Sequence, residues 1–143
     1  MNIQNILFLV FIFASPLYVS ADENTERTIN EFIESQLDQK TEGFKIQGYE
    51  CIDLNNDNIE EIVFVWTLLG PTYWKNHLSV LNHDNGFTLD LIGEAHLDRV
   101  IGNEIVLSQT LYGPNDPICC PSIKKEVIYL YENHKLKKEV TSQ

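Results

Sequence analysis

Basic residues are scarce in this chain of 143 residues: 10 Lys and Arg face 21 Asp and Glu, a net charge of −11 at pH 7. Such a field repels phosphate backbones and anionic lipid surfaces, which excludes nucleic acid and the membrane surface as partners. Cations and basic proteins remain. Signatures of common catalytic machinery are also missing: the sequence has no GxSxG elbow, no HExxH pair, no P-loop and no dinucleotide fingerprint. The four histidines, His77, His83, His96 and His134, are scattered over turns and strand ends. Glu60 and Glu61 are adjacent, so on a strand they point to opposite faces and cannot act as a carboxylate pair. These gaps point to a non-enzymatic domain.

Apolar runs long enough to cross a bilayer are lacking too. The stretch "ILFLVFIFA", Ile6 to Ala14, is too short to span and is followed by Pro16 and by small residues at Val19 and Ala21, the pattern a signal peptidase reads. The positive flank usual before such a core is absent from "MNIQN", so this reading rests on the core and the cleavage site. Cleavage after Ala21 makes residues 1–21 a signal peptide and starts the mature chain at Asp22; the alternative is an uncleaved N-terminal anchor. A secreted or periplasmic protein with no membrane association after cleavage is the expectation. No cysteine stands at the cleavage point to carry a lipid anchor.

Residues 22–143 have the length of one domain. From Thr28 to Gln39 the apolar Ile29, Phe32, Ile33 and Leu37 recur at helical spacing, and Thr28 with Glu31 has the form of a capping box. After Gly43 the pattern changes to short runs bounded by Gly, Asn, Asp and Pro, as in strands and hairpins. Strands are expected near 44–51, 61–69, 77–83, 87–93, 99–110, 124–132 and 135–140. The second, "EIVFVWTLL", is apolar on both faces and should be central. "NHDNG" and "ENHK" supply turn residues that tolerate a left-handed backbone. The expected fold is α+β, an N-terminal amphipathic helix packed on a mainly antiparallel β-meander sheet.

One loop carries chemistry. In "DLNNDNIEE", counting Asp53 as first, Asn55 is third, Asp57 fifth, Ile59 seventh and Glu61 ninth. Alternate residues of a tight loop point inward, so four side chains and the Ile59 backbone carbonyl can offer oxygens to calcium, which takes 6–8 at about 2.3–2.6 Å. Hard oxygen donors without His or Cys argue against zinc and copper. The loop is not an EF-hand, because Asn58 stands where that motif has Gly and Phe64 where it has Glu. Asn is the residue that best replaces Gly in a left-handed conformation. The plain alternative is a solvated turn whose Asp and Asn cap their own backbone.

The loop resembles the DxNxDGxxD/E calcium loops of FG-GAP-type exported bacterial repeats. From about residue 50 to 136 the chain also resembles a group of exported bacterial proteins of unsettled activity. These have an Asp-rich loop before an apolar strand, a "DRV" triplet (here Asp98, Arg99, Val100) and a "GPxDPxCCP" segment, here Gly113 to Pro121. The resemblance implies a shared fold and export.

Three cysteines, Cys51, Cys119 and Cys120, suggest oxidation in an exported chain. A Cys119–Cys120 bond is strained, because neighbouring Cα atoms lie ~3.8 Å apart and ordinary disulfides need about 4.4–6.8 Å. Pairing Cys51 with one of the two avoids the strain and closes a long loop, a contribution of up to about 4 kcal/mol. A vicinal redox element is the alternative. No His stands at zinc spacing from these thiols.

The sequence therefore describes an exported binding or interaction domain braced by calcium and a disulfide. The alternatives are an inhibitor or immunity protein against a basic exported enzyme, and a small exported thiol redox protein or hydrolase.

Overall fold

The computed structural model describes residues 21–38, 42–83 and 85–139. The expected signal peptide core and the C-terminal end of the expected helix, Gln39, lie outside the described residues. Among these residues one helix, α1 (Ala21–Gln36), precedes eight strands: β1 (Gly43–Ile52), β2 (Glu61–Leu69), β3 (Trp74–Leu81), β4 (Gly86–Leu91), β5 (Glu94–Ile101), β6 (Glu104–Leu111), β7 (Ile123–Glu132) and β8 (Lys135–Lys138). They form two four-stranded antiparallel meanders in chain order, β1-β2-β3-β4 and β5-β6-β7-β8. The fold is α+β and mainly antiparallel β.

The two sheets follow from β2. Glu61 and residues 63 to 67 are buried and Ile62 is half-buried, and the period of two sends alternate side chains to opposite faces. Val63 and Val65 join Leu78 and Val80 of β3 in a core completed by Ile105, Leu107, Val127 and Tyr129 of the second sheet. Phe64 and Trp66 point the other way. They cluster with Leu81 and with Ile29 and Ile33, which lie one turn apart on α1 and are both 0% exposed. The Phe32 ring meets Phe64 edge-on at 5.9 Å.

Strand β5 links the sheets. It begins beside β3, where Asn76 bonds the Gly93 carbonyl, and ends beside β1, where the Val100 N–H donates to Glu50 Oε2 at 3.1 Å. At the crossing, a Cβ on Gly48 would stand 3.4 Å from that of Leu97. A larger side chain there would push the two strands apart.

Three expectations change. The helix is already formed at Ala21, so Thr28 is interior: its hydroxyl donates to the Asn24 carbonyl at 3.0 Å instead of capping an N-terminus. The single strand expected over 99–110 is two, β5 and β6, because Gly102 adopts φ 58° and folds the chain into a tight hairpin pairing Ile101 with Glu104. The meander also forms two sheets, not one, the break falling between β4 and β5. The expected turns do occur: Asn133 and His134 both have positive φ, and the Asn82 N–H donates to the Asn85 carbonyl at 2.9 Å.

Candidate functional site

The acidic loop joins β1 to β2 and is a network of hydrogen bonds. The Asp53 carboxylate accepts from the backbone N–H of Asp57 at 3.1 Å and of Asn58 at 2.9 Å. Asn55 Oδ1 also accepts from the Asp57 N–H, at 2.9 Å, and Asp57 Oδ1 accepts from the Ile59 N–H at 2.8 Å. Asn56 and Asn58 take φ of 61° and 66°, so Asn58 supplies the left-handed turn expected of it. Burial acts to raise the Asp53 pKa, but the N–H groups of Asn58, Asp57, Asn56 and Asn55 outweigh it and hold the carboxyl below its ordinary 3.8.

Glu61 ties this surface loop to the core. It is 1% exposed, and its Oε2 accepts from the Leu54 N–H at 2.8 Å. Its Oε1 accepts from Asn55 Nδ2 at 3.0 Å, and the same amide nitrogen donates to Asp57 Oδ2 at 3.0 Å. The structure thus brings Asp53, Asn55, Asp57 and Glu61 together, whereas Ile59 takes part through its N–H. Among the described residues no three Asp, Glu, His or Cys side chains converge as a metal cluster. Here the Asn55 amide stands between two of the carboxylates.

Linear reasoning missed the loop's neighbours. An open hollow of about 880 Å³ borders Asn55, Asn56 and Asp57 and is walled by Asn103, Tyr131 and His134 from the β5–β6 and β7–β8 hairpins. Burial, together with the negative Glu61, pushes the Tyr131 hydroxyl pKa above 10.0. No spacing in the sequence relates these hairpins to the loop. Their proximity comes from the stacking of the sheets.

The cysteines do not pair as expected. All three are free and exposed. Cys51 follows Glu50, which bonds Val100 near the β5–β6 hairpin, whereas Cys119 and Cys120 sit in the β6–β7 connection, next to the Leu111–Ile123 pair. The span of β6 between these ends is roughly 20 Å at ~3.3 Å per residue, against a disulfide reach of about 7 Å. The connection is itself held by Asp116, whose carboxylate accepts from the Gly113 N–H at 2.6 Å and the Ser122 N–H at 2.7 Å. A hydrogen bond with Cys119 pushes the Cys120 thiol pKa up, which disfavours a thiolate nucleophile. Non-reducing peptide mapping will find Cys51 linked to neither Cys119 nor Cys120; a cross-link would contradict the topology. The Asp98–Arg99–Val100 triplet falls at a bulge in β5, from which Arg99 reaches Glu126 at 3.1 Å.

One buried histidine gives the fold a pH dependence. His77 is 7% exposed, stacks on Trp66 at 4.3 Å and bonds Asp90 through Nδ1 at 3.0 Å. Among the described residues its Nε2 has no hydrogen-bond partner. Burial lowers its pKa below 6.5; Asp90 opposes that shift and Lys75 adds to it. Because the unfolded chain binds this proton more readily, stability falls as pH drops below the unfolded value and levels off below the folded one. Urea unfolding between about pH 7.5 and pH 5 should show this loss, and His77→Asn should flatten it.

Matched against protein-family models, curated proteins and solved structures, the chain finds no match in any of the three.

Proposed function

We propose that the chain is an exported, non-enzymatic binding domain whose acidic loop takes up calcium, with α1 packed on the outer face of the first sheet. The observation that carries the reading is one hydrogen-bonded loop network in which the Asn55 amide bridges Asp57 and Glu61 while Asp53 accepts the Asp57 N–H. The donor set fits calcium: three carboxylates, an amide oxygen and a backbone carbonyl are hard ligands in an adaptable loop. In this reading Asp53, Asp57 and Glu61 hold the ion, a half-turn of the Asn55 amide presents Oδ1 in place of Nδ2, and Ile59 adds its carbonyl. The bound ion neutralises neighbouring carboxylates and locks the β1–β2 connection. Support for the helix position comes from Ile29, Ile33 and Phe32 around Phe64. Export rests on the apolar stretch and small residues of the N-terminal sequence.

A thermal melt with calcium or chelator tests the loop. With a dissociation constant of about 10⁻⁴ to 10⁻³ M, as in extracellular modules, calcium at roughly ten times that value adds about 1.4 kcal/mol and raises Tm by several degrees. Asp53→Ala should remove the shift and stay folded, since a polar turn persists. Equal melting temperatures in both buffers would overturn the reading. A second reading, an inhibitor of a basic exported enzyme, is favoured by the net charge of −11.

A further inference from the structure

At the end of β2 away from the acidic loop the two sheets part around a cleft of about 350 Å³, a size that suits small ligands. Its floor is a fixed polar chain. Gln47 Nε2 donates to Thr67 Oγ1 at 3.0 Å, Thr67 Oγ1 donates to Asn76 Oδ1 at 2.5 Å, and Asn76 Nδ2 donates to the Gly93 carbonyl at 2.5 Å. Thr67 and Asn76 are only 6% and 4% exposed. They continue the face on which Val63, Val65 and Leu78 form the apolar core, and polar groups in such a place are costly unless their donors and acceptors are used. An amide offers two N–H donors and a carbonyl. Among the described residues the chain engages one N–H of each amide, which leaves the Gln47 carbonyl and the second N–H of Asn76 for a ligand.

The wall beside this floor is apolar and open. Thr67 pairs with Asn76 across β2 and β3, and the next pair on the same face is Leu69 with Trp74, whose side chains are 44% and 47% exposed. Trp74 thus offers an indole plate next to the two amides. The rim carries one lysine, Lys45, and one glutamate, Glu94, together with His96, so the lysine and glutamate charges offset each other. That balance selects neither anions nor cations. A negative aromatic face attracts the weakly positive C–H face of a saturated ring, while planar amides bond hydroxyl groups in both directions.

The geometry points to a neutral carbohydrate as the ligand of this cleft. The inference deepens the binding-domain reading and is independent of the acidic loop, which lies roughly 25 Å away along β2 at ~3.3 Å per residue. Full-length protein should be titrated by calorimetry and tryptophan fluorescence with neutral tetrasaccharides of glucose, galactose and N-acetylglucosamine. At least one should bind and change the emission of Trp74, the chain's other tryptophan, Trp66, being 2% exposed. Trp74→Ala should weaken binding about tenfold or more, with Trp74→Tyr recovering part of the affinity. Gln47→Ala should weaken it several-fold, and Asp53→Ala should leave it unchanged although the calcium effect is lost. No binding of any tetrasaccharide at about 10 mM, or equal affinity in a folded Trp74→Ala variant, would overturn the inference. Competition at Trp74 by an extended peptide, in place of any sugar, would overturn the ligand class and leave the binding-domain reading standing.

Discussion

Replacing Glu61 by alanine lowers the unfolding free energy by about 3 kcal/mol, the upper range for a buried charged hydrogen-bonding group. The Glu61 side chain is 1% exposed and accepts the N–H of Leu54, itself 2% exposed. Truncation leaves that backbone donor buried without its acceptor and frees Asn55, which Glu61 also holds at 3.0 Å. The loop then loses its tie to the core, and the gap left under it adds to the loss. Glu61→Gln should cost about half as much, because its carbonyl still accepts one of the two bonds while its NH2 group opposes the other donor. Urea denaturation at neutral pH measures both. A change below about 0.5 kcal/mol for Glu61→Ala, the range of ordinary surface substitutions, would mean that the carboxylate does not hold the loop.

Phe64→Ala should be costlier, about 3–5 kcal/mol as for a buried aromatic cut to alanine. Phe64 is 0% exposed and is surrounded by Ile29, Ile33 and Trp66, with the Phe32 ring against its face or edge at an interplanar angle of 88°. Its loss opens a cavity beside Ile29 and Ile33. Hydrogen exchange at the Ile29 and Ile33 amides should therefore accelerate more than at Ile105 and Leu107 in the second sheet. Phe64→Leu, which keeps much of the volume, should cost about 1.5 kcal/mol or less. Uniform acceleration in both regions would show that the helix has no separate hold on this residue.

What was legible in the sequence was local. The apolar run of β2, the turn asparagines and the oxygen spacing from Asp53 to Glu61 each act within a few residues, and each has its place in the structure. Asn58 takes the left-handed turn because a short polar side chain tolerates it. The division into two sheets was not legible, since it falls in the short link between β4 and β5, where Gly93 takes φ 77°, and such a link reads in the sequence like one more hairpin turn. The separation of Cys51 from Cys119 and Cys120 follows from where β1 crosses β5, a tertiary relation with no sequence period. Thr28 and Glu31 have the spacing of a cap, yet helix extends on their N-terminal side, and spacing alone does not distinguish a cap from a helical interior. Tyr131 comes near Asp57 and Glu61 only through packing.

The central claim is that the loop from Asp53 to Glu61 is a calcium site. Two-dimensional NMR of the backbone and side-chain amides during a calcium titration tests it most directly. The account predicts saturable shifts at millimolar calcium, concentrated at Asp57, Asn58 and Ile59 and at the Asn55 side-chain amide, which must turn for its oxygen to face the ion. The amides of Thr67 and Asn76, at the far end of the sheet, should hold still. Amide positions in the loop that do not move up to about 10 mM calcium, or that move equally with sodium at matched ionic strength, would contradict it.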